Sequence, residues 1–200
     1  MAALSDIALI AQVVTFGSER AFGQLVQAHQ DAVRRFLRRL TSGDEMLADD
    51  LAQETFIRAW QHLSSFRQLS GFETWLLRIA YHVFLDEQRK NKPTPQPLFT
   101  REGNESRSNA DIENYSESAT NPYEEGETTS ETFSLHHDLD LALATLSETE
   151  RTCVVLQCVE GQSIKEIADI TGLPPNTVKS HLLRGKKNLA NYLRKNGYNG

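Results

Sequence analysis

The segment that most constrains this chain runs from Ser163 to Leu193, SIKEIADITGLPPNTVKSHLLRGKKNLANYL. Ser163, with Glu166 three residues later, has the pattern of a capping box opening a short helix. Counting from Ile164, a small residue (Ala168) falls fifth, a glycine (Gly172) ninth and an apolar residue (Val178) fifteenth. That is the spacing of a helix-turn-helix. Ala168 permits close helix approach, Gly172 can take the positive φ of a sharp turn, and Val178 seats the second helix on the first. Pro174 and Pro175 suit the entry to that second helix, because a first-turn N–H has no intrahelical partner to lose. From Ile170 to Gly200 there are six basic residues and no acidic one. Spacing and charge together predict a DNA-binding module; the competing interpretation is an ordinary αα-hairpin with a solvated basic face. In the last helix Val178, Leu182, Gly185 and Leu189 fall on the core side. The outer side carries Asn176, Lys179, Ser180, Leu183, Arg184 and Lys187, and these, with Thr177, are the candidate duplex-DNA contacts.

The net charge of −6 is unexpected for such a module until it is divided along the chain. Asn91 to Leu135 holds nine acidic and three basic residues, and the rest of the chain balances at 18 of each. The same stretch begins KPTPQP and continues rich in Ser, Asn, Glu and Thr, with too few apolar residues to offset its ordering entropy. A flexible acidic linker over residues 92–134 is expected, separating two independent all-α domains at 1–91 and 135–200.

The first domain shows helical periodicity throughout. SDIALIAQVV is a short first helix, and ERAFGQLVQAHQDAVRRFLRRL follows the turn at Gly17-Ser18. Its apolar positions Phe22, Leu25, Val26, Val33, Phe36, Leu37 and Leu40 form one stripe. Arg34, Arg35, Arg38 and Arg39 crowd its C-terminal half, as a solvated face or as part of a polymer-binding surface. Asp44 caps a third helix with an inward stripe of Leu47, Leu51, Phe56, Trp60 and Leu63. Asp49, Asp50, Gln53, Glu54 and Arg58 lie towards its other side. A fourth helix is expected from Ser70, with Ser70 and Glu73 as a capping box and Phe72, Leu76, Ile79 and Val83 facing inward. Its opposite face presents Thr74, Arg78, Tyr81, Leu85, Gln88 and Arg89, bordered by His82. Cations interleaved with an aromatic suit single-stranded nucleic acid, whose phosphates need charge and whose unstacked bases need a flat partner.

The second domain begins with HHDLDLALATL, and Ser147 with Glu150 makes a further capping box before ERTCVVLQCVEG. Cys153 and Cys158 lie five apart inside this apolar run and are expected as buried thiols. A zinc site recruiting His136 and His137 is the weaker competitor. No run approaches the roughly 18 apolar residues of a membrane span, and MAALSDIALIAQVV lacks a basic leader region. The chain is therefore expected to be cytoplasmic, without membrane insertion. It shows no P-loop glycine run, metal spacing or paired nucleophile and base, so neither cofactor nor catalytic residue is assigned.

Three motifs in order, DDLAQETFIRAW (Asp49 to Trp60), FETWLLRIAYHVFLDEQRK (Phe72 to Lys90) and the helix-turn-helix, resemble a sigma factor of the extracytoplasmic-function group. The resemblance covers nearly the whole chain. It implies a transcription-initiation role with core RNA polymerase as partner, through the β′ clamp coiled coil and the β flap. Asp49, Asp50, Gln53, Glu54 and Arg58 would meet the clamp. The loop Arg67, Gln68, Leu69, Ser70 and Gly71, with Arg78, Tyr81, His82 and Arg89, would hold the melted −10 element. Lys179, Ser180, Leu183 and Arg184 would read the −35 element of promoter DNA. An anti-sigma factor, membrane-bound in some systems, is a further implied partner, and the acidic linker would thread the RNA channel. His82, Asn176 and His181 depart from the family's usual asparagine, glycine and arginine, so promoter preference does not carry over. Two other readings remain. A helix-turn-helix regulator with an N-terminal effector or dimerisation domain leaves the acidic and aromatic-basic helices unexplained. A small helical enzyme has only scattered histidines in its favour.

Overall fold

The computed structural model describes residues 2–91 and 138–198, and the regular structure in them is entirely helical. The acidic segment, His136 and His137 lie outside the described residues. The N-terminal group comprises α1 (Ala2–Phe16), α2 (Glu19–Leu40), α3 (Glu45–His62), a 3-10 turn at Leu63–Ser65, and α4 (Phe72–Asn91). The C-terminal group comprises α5 (described from 138 to 144), α6 (Glu148–Cys158), α7 (Ile164–Thr171) and α8 (Pro175–Lys195).

Helix α2 forms because its apolar stripe has somewhere to go. Leu25, Val33, Phe36, Leu37 and Leu40 are buried among α1, α3 and α4. Each such side chain stabilises the fold by about 1.5–3 kcal/mol, more than an exposed ion pair contributes. Its start is fixed by Ser18, whose hydroxyl accepts from the Ala21 N–H at 3.3 Å. Asp44 caps α3 in the same way, accepting from the Leu47 N–H at 3.0 Å.

The inward side of α3 differs from the predicted stripe. Ala48, Leu51, Ala52, Thr55 and Ala59 are buried, whereas Phe56 is half-buried and Trp60 exposed. Small residues let α3 lie close to α2 and α4, and the larger rings are displaced to the flank. Trp60 meets Phe22 edge-on there, with ring centroids 4.9 Å apart. The start of α4 also moves. It begins at Phe72, and its first bond runs from the Trp75 N–H to the Gly71 carbonyl at 3.1 Å. That makes Gly71 the cap, so the predicted Ser70–Glu73 capping box gives way to a glycine.

In the C-terminal group Ser147 caps α6 by accepting from the Glu150 N–H at 3.4 Å. Helix α8 packs across α6 at Gly185, where a Cβ would stand 2.7 Å from Val154 Cγ2. Val154 is β-branched and buried, so it has little room to retreat. Gly185→Ala is therefore expected to destabilise this group by about 1–3 kcal/mol from overpacking, less about 1 kcal/mol regained in helix propensity. Equilibrium denaturation checks this; a variant as stable as the parent would mean that α6 and α8 are less tightly packed.

Cys153 is fully buried, as predicted, and burial pushes its thiol up to about 11. Cys158 is exposed, because Glu160, Val155 and Leu156 occupy the covered positions at the end of α6. One thiol per native chain should thus react with a disulfide reagent near pH 8, and the second only on unfolding. Two fast-reacting thiols would contradict the placement of Cys153. Among the described residues no group of three His, Cys, Asp or Glu side chains suits a metal ion. None of these helices is long and apolar enough to cross a membrane.

The two helical groups were expected to be independent, yet their buried residues form one continuous apolar cluster. Helix α4 packs on α7, and α2 on α6.

Candidate nucleic-acid interface

The helix-turn-helix is built from local bonds. Ser163 and Glu166 complete the predicted capping box: the Ser163 N–H donates to Glu166 Oε2 at 2.8 Å, and the Glu166 N–H donates to Ser163 Oγ at 3.3 Å. These bonds hold the Glu166 carboxyl below the usual carboxylate range. Gly172 ends α7 with φ at 72°, and its N–H donates to the Ala168 carbonyl at 2.9 Å. Pro174 then accepts from the N–H groups of Thr177 (2.9 Å) and Val178 (3.0 Å), with Pro175 at the first helical position. Val178, Leu182 and Gly185 are buried and Leu189 half-buried, as the periodicity requires.

Seating that stripe turns Asn176, Lys179, Ser180, Leu183, Arg184 and Lys187 outward, with Thr177 half-buried beside them. Ser180 Oγ donates to the Asn176 carbonyl at 3.0 Å. Arg184 reaches His181 Nδ1 at 3.2 Å and lies 3.6 Å from Glu150, yet its side chain stays largely exposed. Leu183 is 73% exposed among these polar groups. Such a face offers donors to guanine edges and phosphates, and one apolar contact suited to a thymine methyl.

A second surface surrounds the start of α4. Arg67, Gln68, Leu69 and Gly71 are exposed and Ser70 is half-buried; Leu69 stands 90% in solvent. Gln68 holds a positive φ of 55° without being glycine. Such a residue persists only where its surroundings fix it. Beneath it Phe66, Phe72 and Trp75 make a three-ring cluster, with centroids 5.5–5.6 Å apart. Phe66 and Trp75 were not singled out in the sequence, although their spacing from Phe72, six before and three after, was a usable sign.

Along α4 the predicted open face is only partly open. Arg78, His82 and Arg89 are exposed, but Tyr81 is 7% and Thr74 4% exposed. Thr74 Oγ1 donates to Gln162 Oε1 at 3.0 Å. Burial raises the Tyr81 hydroxyl above its ordinary value, and Glu148 and Cys153 on α6 add to the effect. Both residues are covered by the C-terminal group, which periodicity within one helix cannot foresee. Burial and then the nearby Arg78 charge lower the His82 pKa, which favours its neutral imidazole.

A third surface is the polar side of α3. Asp49, Asp50 and Gln53 are exposed and Glu54 half-buried. Arg34 pairs with Asp49 at 3.1 Å. Arg58 donates to Glu54 (2.7 Å) and to Asp86 on α4 (2.7 Å), which raises the guanidinium pKa and lowers that of Asp86. Arg58 is thus a brace between α3 and α4 as well as a surface charge, and its partner Asp86 was missed in the sequence. Phe22, Phe56, Ile57 and Trp60 form an apolar groove along the border of this face.

The model of sigma-70 region 2 matches residues 25–94, and that of sigma-70 region 4 matches residues 136–189. Together they cover more than half of the chain, and they define its class as the two-region sigma-70 plan. The chain is 31% identical to the ECF RNA polymerase sigma-E factor of Haemophilus influenzae, over 96% of both chains. It is 31% identical to the ECF RNA polymerase sigma factor SigW of Bacillus subtilis, over 89% of this chain and 91% of that one. The structure of CnrH in complex with the cytosolic domain of CnrY superposes with a TM-score of 0.66 at 26% identity, over 96% of this chain and 98% of that one. The sigma factor RpoE of Bartonella quintana, solved with the anti-sigma factor NepR, shares the fold at 24% identity, with a TM-score of 0.62 over 86% and 96%. The chain belongs to the extracytoplasmic-function sigma factors of the sigma-70 family. It serves RNA polymerase as a promoter-specificity factor, and a stand-alone helix-turn-helix regulator is not favoured.

Proposed function

We propose that this sigma factor divides promoter recognition between its two helical groups. Residues 1–91 dock on core polymerase and capture the melted −10 strand; residues 135–200 read the −35 duplex; residues 92–134 connect them. The polar side of α3 (Asp49, Asp50, Gln53, Glu54, Arg58) meets the β′ clamp coiled coil, and the C-terminal group also touches the β flap. Arg67 to Gly71 receive a base freed by melting, and Arg78, Tyr81, His82 and Arg89 follow the strand. Asn176, Thr177, Lys179, Ser180, Leu183, Arg184 and Lys187 contact the duplex. Flipping a base costs a few kcal/mol, and stacking returns about 1–3 kcal/mol for each base captured. Capture of a few bases therefore suffices to hold the strand open.

The observation that carries this reading is the outward set on α8 around Leu183, joined in one chain to an acidic helix face that DNA binding alone does not need. The chain acts in the cytoplasm beside its polymerase and performs no nucleotide chemistry itself. An anti-sigma factor is its proposed inhibitor, since two similar folds were solved bound to such partners or to a partner's cytosolic domain. A gel shift on promoter duplex, with and without core polymerase, tests the reading. A shift only with core enzyme, followed by run-off transcription, is expected. A strong shift by the chain alone would favour the regulator.

A further inference from the structure

We infer that Asp6 and His29 are a buried positioning pair for strand capture, fixing the rings on which the base-receiving loop rests. His29 occupies a core position of α2, one turn after Leu25 and one turn before Val33, both buried. A leucine would fill such a slot. A polar ring placed there costs stability unless it is hydrogen-bonded. Its partner is Asp6 on α1, whose Oδ2 lies 3.2 Å from His29 Nε2, the two side chains being only 10% and 9% exposed. A carboxylate can only accept, so Nε2–H donates and the imidazole plane is held in one orientation.

The oriented ring meets Phe72 edge-on, with centroids 5.1 Å apart and planes at 71°. Phe72 in turn stacks on Trp75 at 27° and meets Phe66 at 83°. Phe66 and Phe72 are the residues immediately before and after the loop Arg67 to Gly71. Both ends of the loop are therefore anchored in rings, and His29 supports that anchor from the core. Gln68 keeps its positive φ only while those ends stay fixed. An edge-on pair sets tilt as well as distance, because the positive edge of one ring prefers the π-face of the other. An aliphatic side chain at position 29 would fill the volume without that preference. Helix α1 also packs on the 3-10 turn at Leu63–Ser65, and the Phe66 N–H donates to the Leu63 carbonyl at 3.1 Å. The first helix thus reaches the loop twice, through this turn and through Asp6. Its part in capture rests on the function proposed above; the positioning of the rings does not.

The experiment uses the full chain, free and assembled with core polymerase, carrying Asp6→Leu/His29→Leu or Asp6→Asn/His29→Gln. The first replaces the pair by apolar groups, a change that leaves stability equal or higher when both partners go together. The second keeps a hydrogen bond in the same place. Thermal melting and near-ultraviolet circular dichroism are read on the free chain. On the holoenzyme, a fluorescent adenine analogue at successive nontemplate-strand positions of the −10 element reports bases leaving the stack. Asp6→Leu/His29→Leu should melt no lower than the parent and lose near-ultraviolet signal. It should capture the strand about fivefold less well, the size of one oriented aromatic contact. Asp6→Asn/His29→Gln should keep both the signal and most of the capture. An unchanged near-ultraviolet signal in Asp6→Leu/His29→Leu overturns the positioning. A lost signal with undiminished capture overturns the role in capture. If both variants melt lower and lose capture together, the pair is merely structural and the inference falls. If the parent holoenzyme transcribes but shows no fluorescence change at any position, the strand-capture reading fails, and the dichroism alone decides the positioning.

Discussion

Reversing charge at Asp50 and Glu54 is expected to abolish assembly with core polymerase while leaving the fold intact. The two residues lie one turn apart on the polar side of α3, Asp50 exposed and Glu54 half-buried. Glu54 loses its bond to Arg58, but Arg58 keeps Asp86, and an exposed pair of this kind is worth at most about 1 kcal/mol. At a desolvated interface the balance changes, because a reversed charge meets a partner's cation with no water between them. Losing one such charge pair costs about 2–5 kcal/mol, and two reversals should exceed a thousandfold in affinity. Co-purification with core enzyme and thermal melting, measured on the same variant, provide the check. Retained co-purification would return the acidic side of α3 to a merely solvated role.

Arg184→Ala and Lys179→Ala are expected to lower transcription from a −35-dependent promoter by about ten- to a hundredfold each, corresponding to about 1–3 kcal/mol per lost contact. Both side chains are exposed on α8, and Arg184 gives up only its long 3.6 Å pair with Glu150, worth at most about 1 kcal/mol, so the loss is chiefly in recognition and not in folding. Polymerase binding should be unchanged, because the acidic side of α3 is untouched. Normal run-off transcription by both variants would remove α8 from the reading role.

Much of this was legible because it is local. The Ser163–Glu166 box, the left-handed Gly172, the two prolines and the buried stripe of α8 are each fixed within a few residues. Sequence separations of three and four encode them directly. Contacts across the chain were not legible. Tyr81 and Thr74 satisfy the period of an exposed face, yet another group covers them. Arg35 and Arg39 were assigned to solvent or polymer, yet they meet Glu160 and Asp140 more than 100 residues away. The stripe on α3 held at Leu51 and Leu63 but departed at Phe56 and Trp60, for a different reason. Hydrophobicity ranks Phe56 and Trp60 above Ala52 and Ala59, but close packing of three helices favours the smaller volume.

That alanine seam gives the acidic face a hidden dependence. Ala48, Ala52 and Ala59, with Leu51 and Thr55, form the buried side of α3, and Asp49, Asp50 and Gln53 stand exposed on the same helix. Extra volume at the seam cannot be absorbed where it is introduced, because dense interiors transmit displacement. It would instead push α3 outward and tilt its carboxylates away from a partner they still match in sequence. If that face docks on polymerase as proposed, its affinity would be set in part from inside the protein, at buried positions on α3.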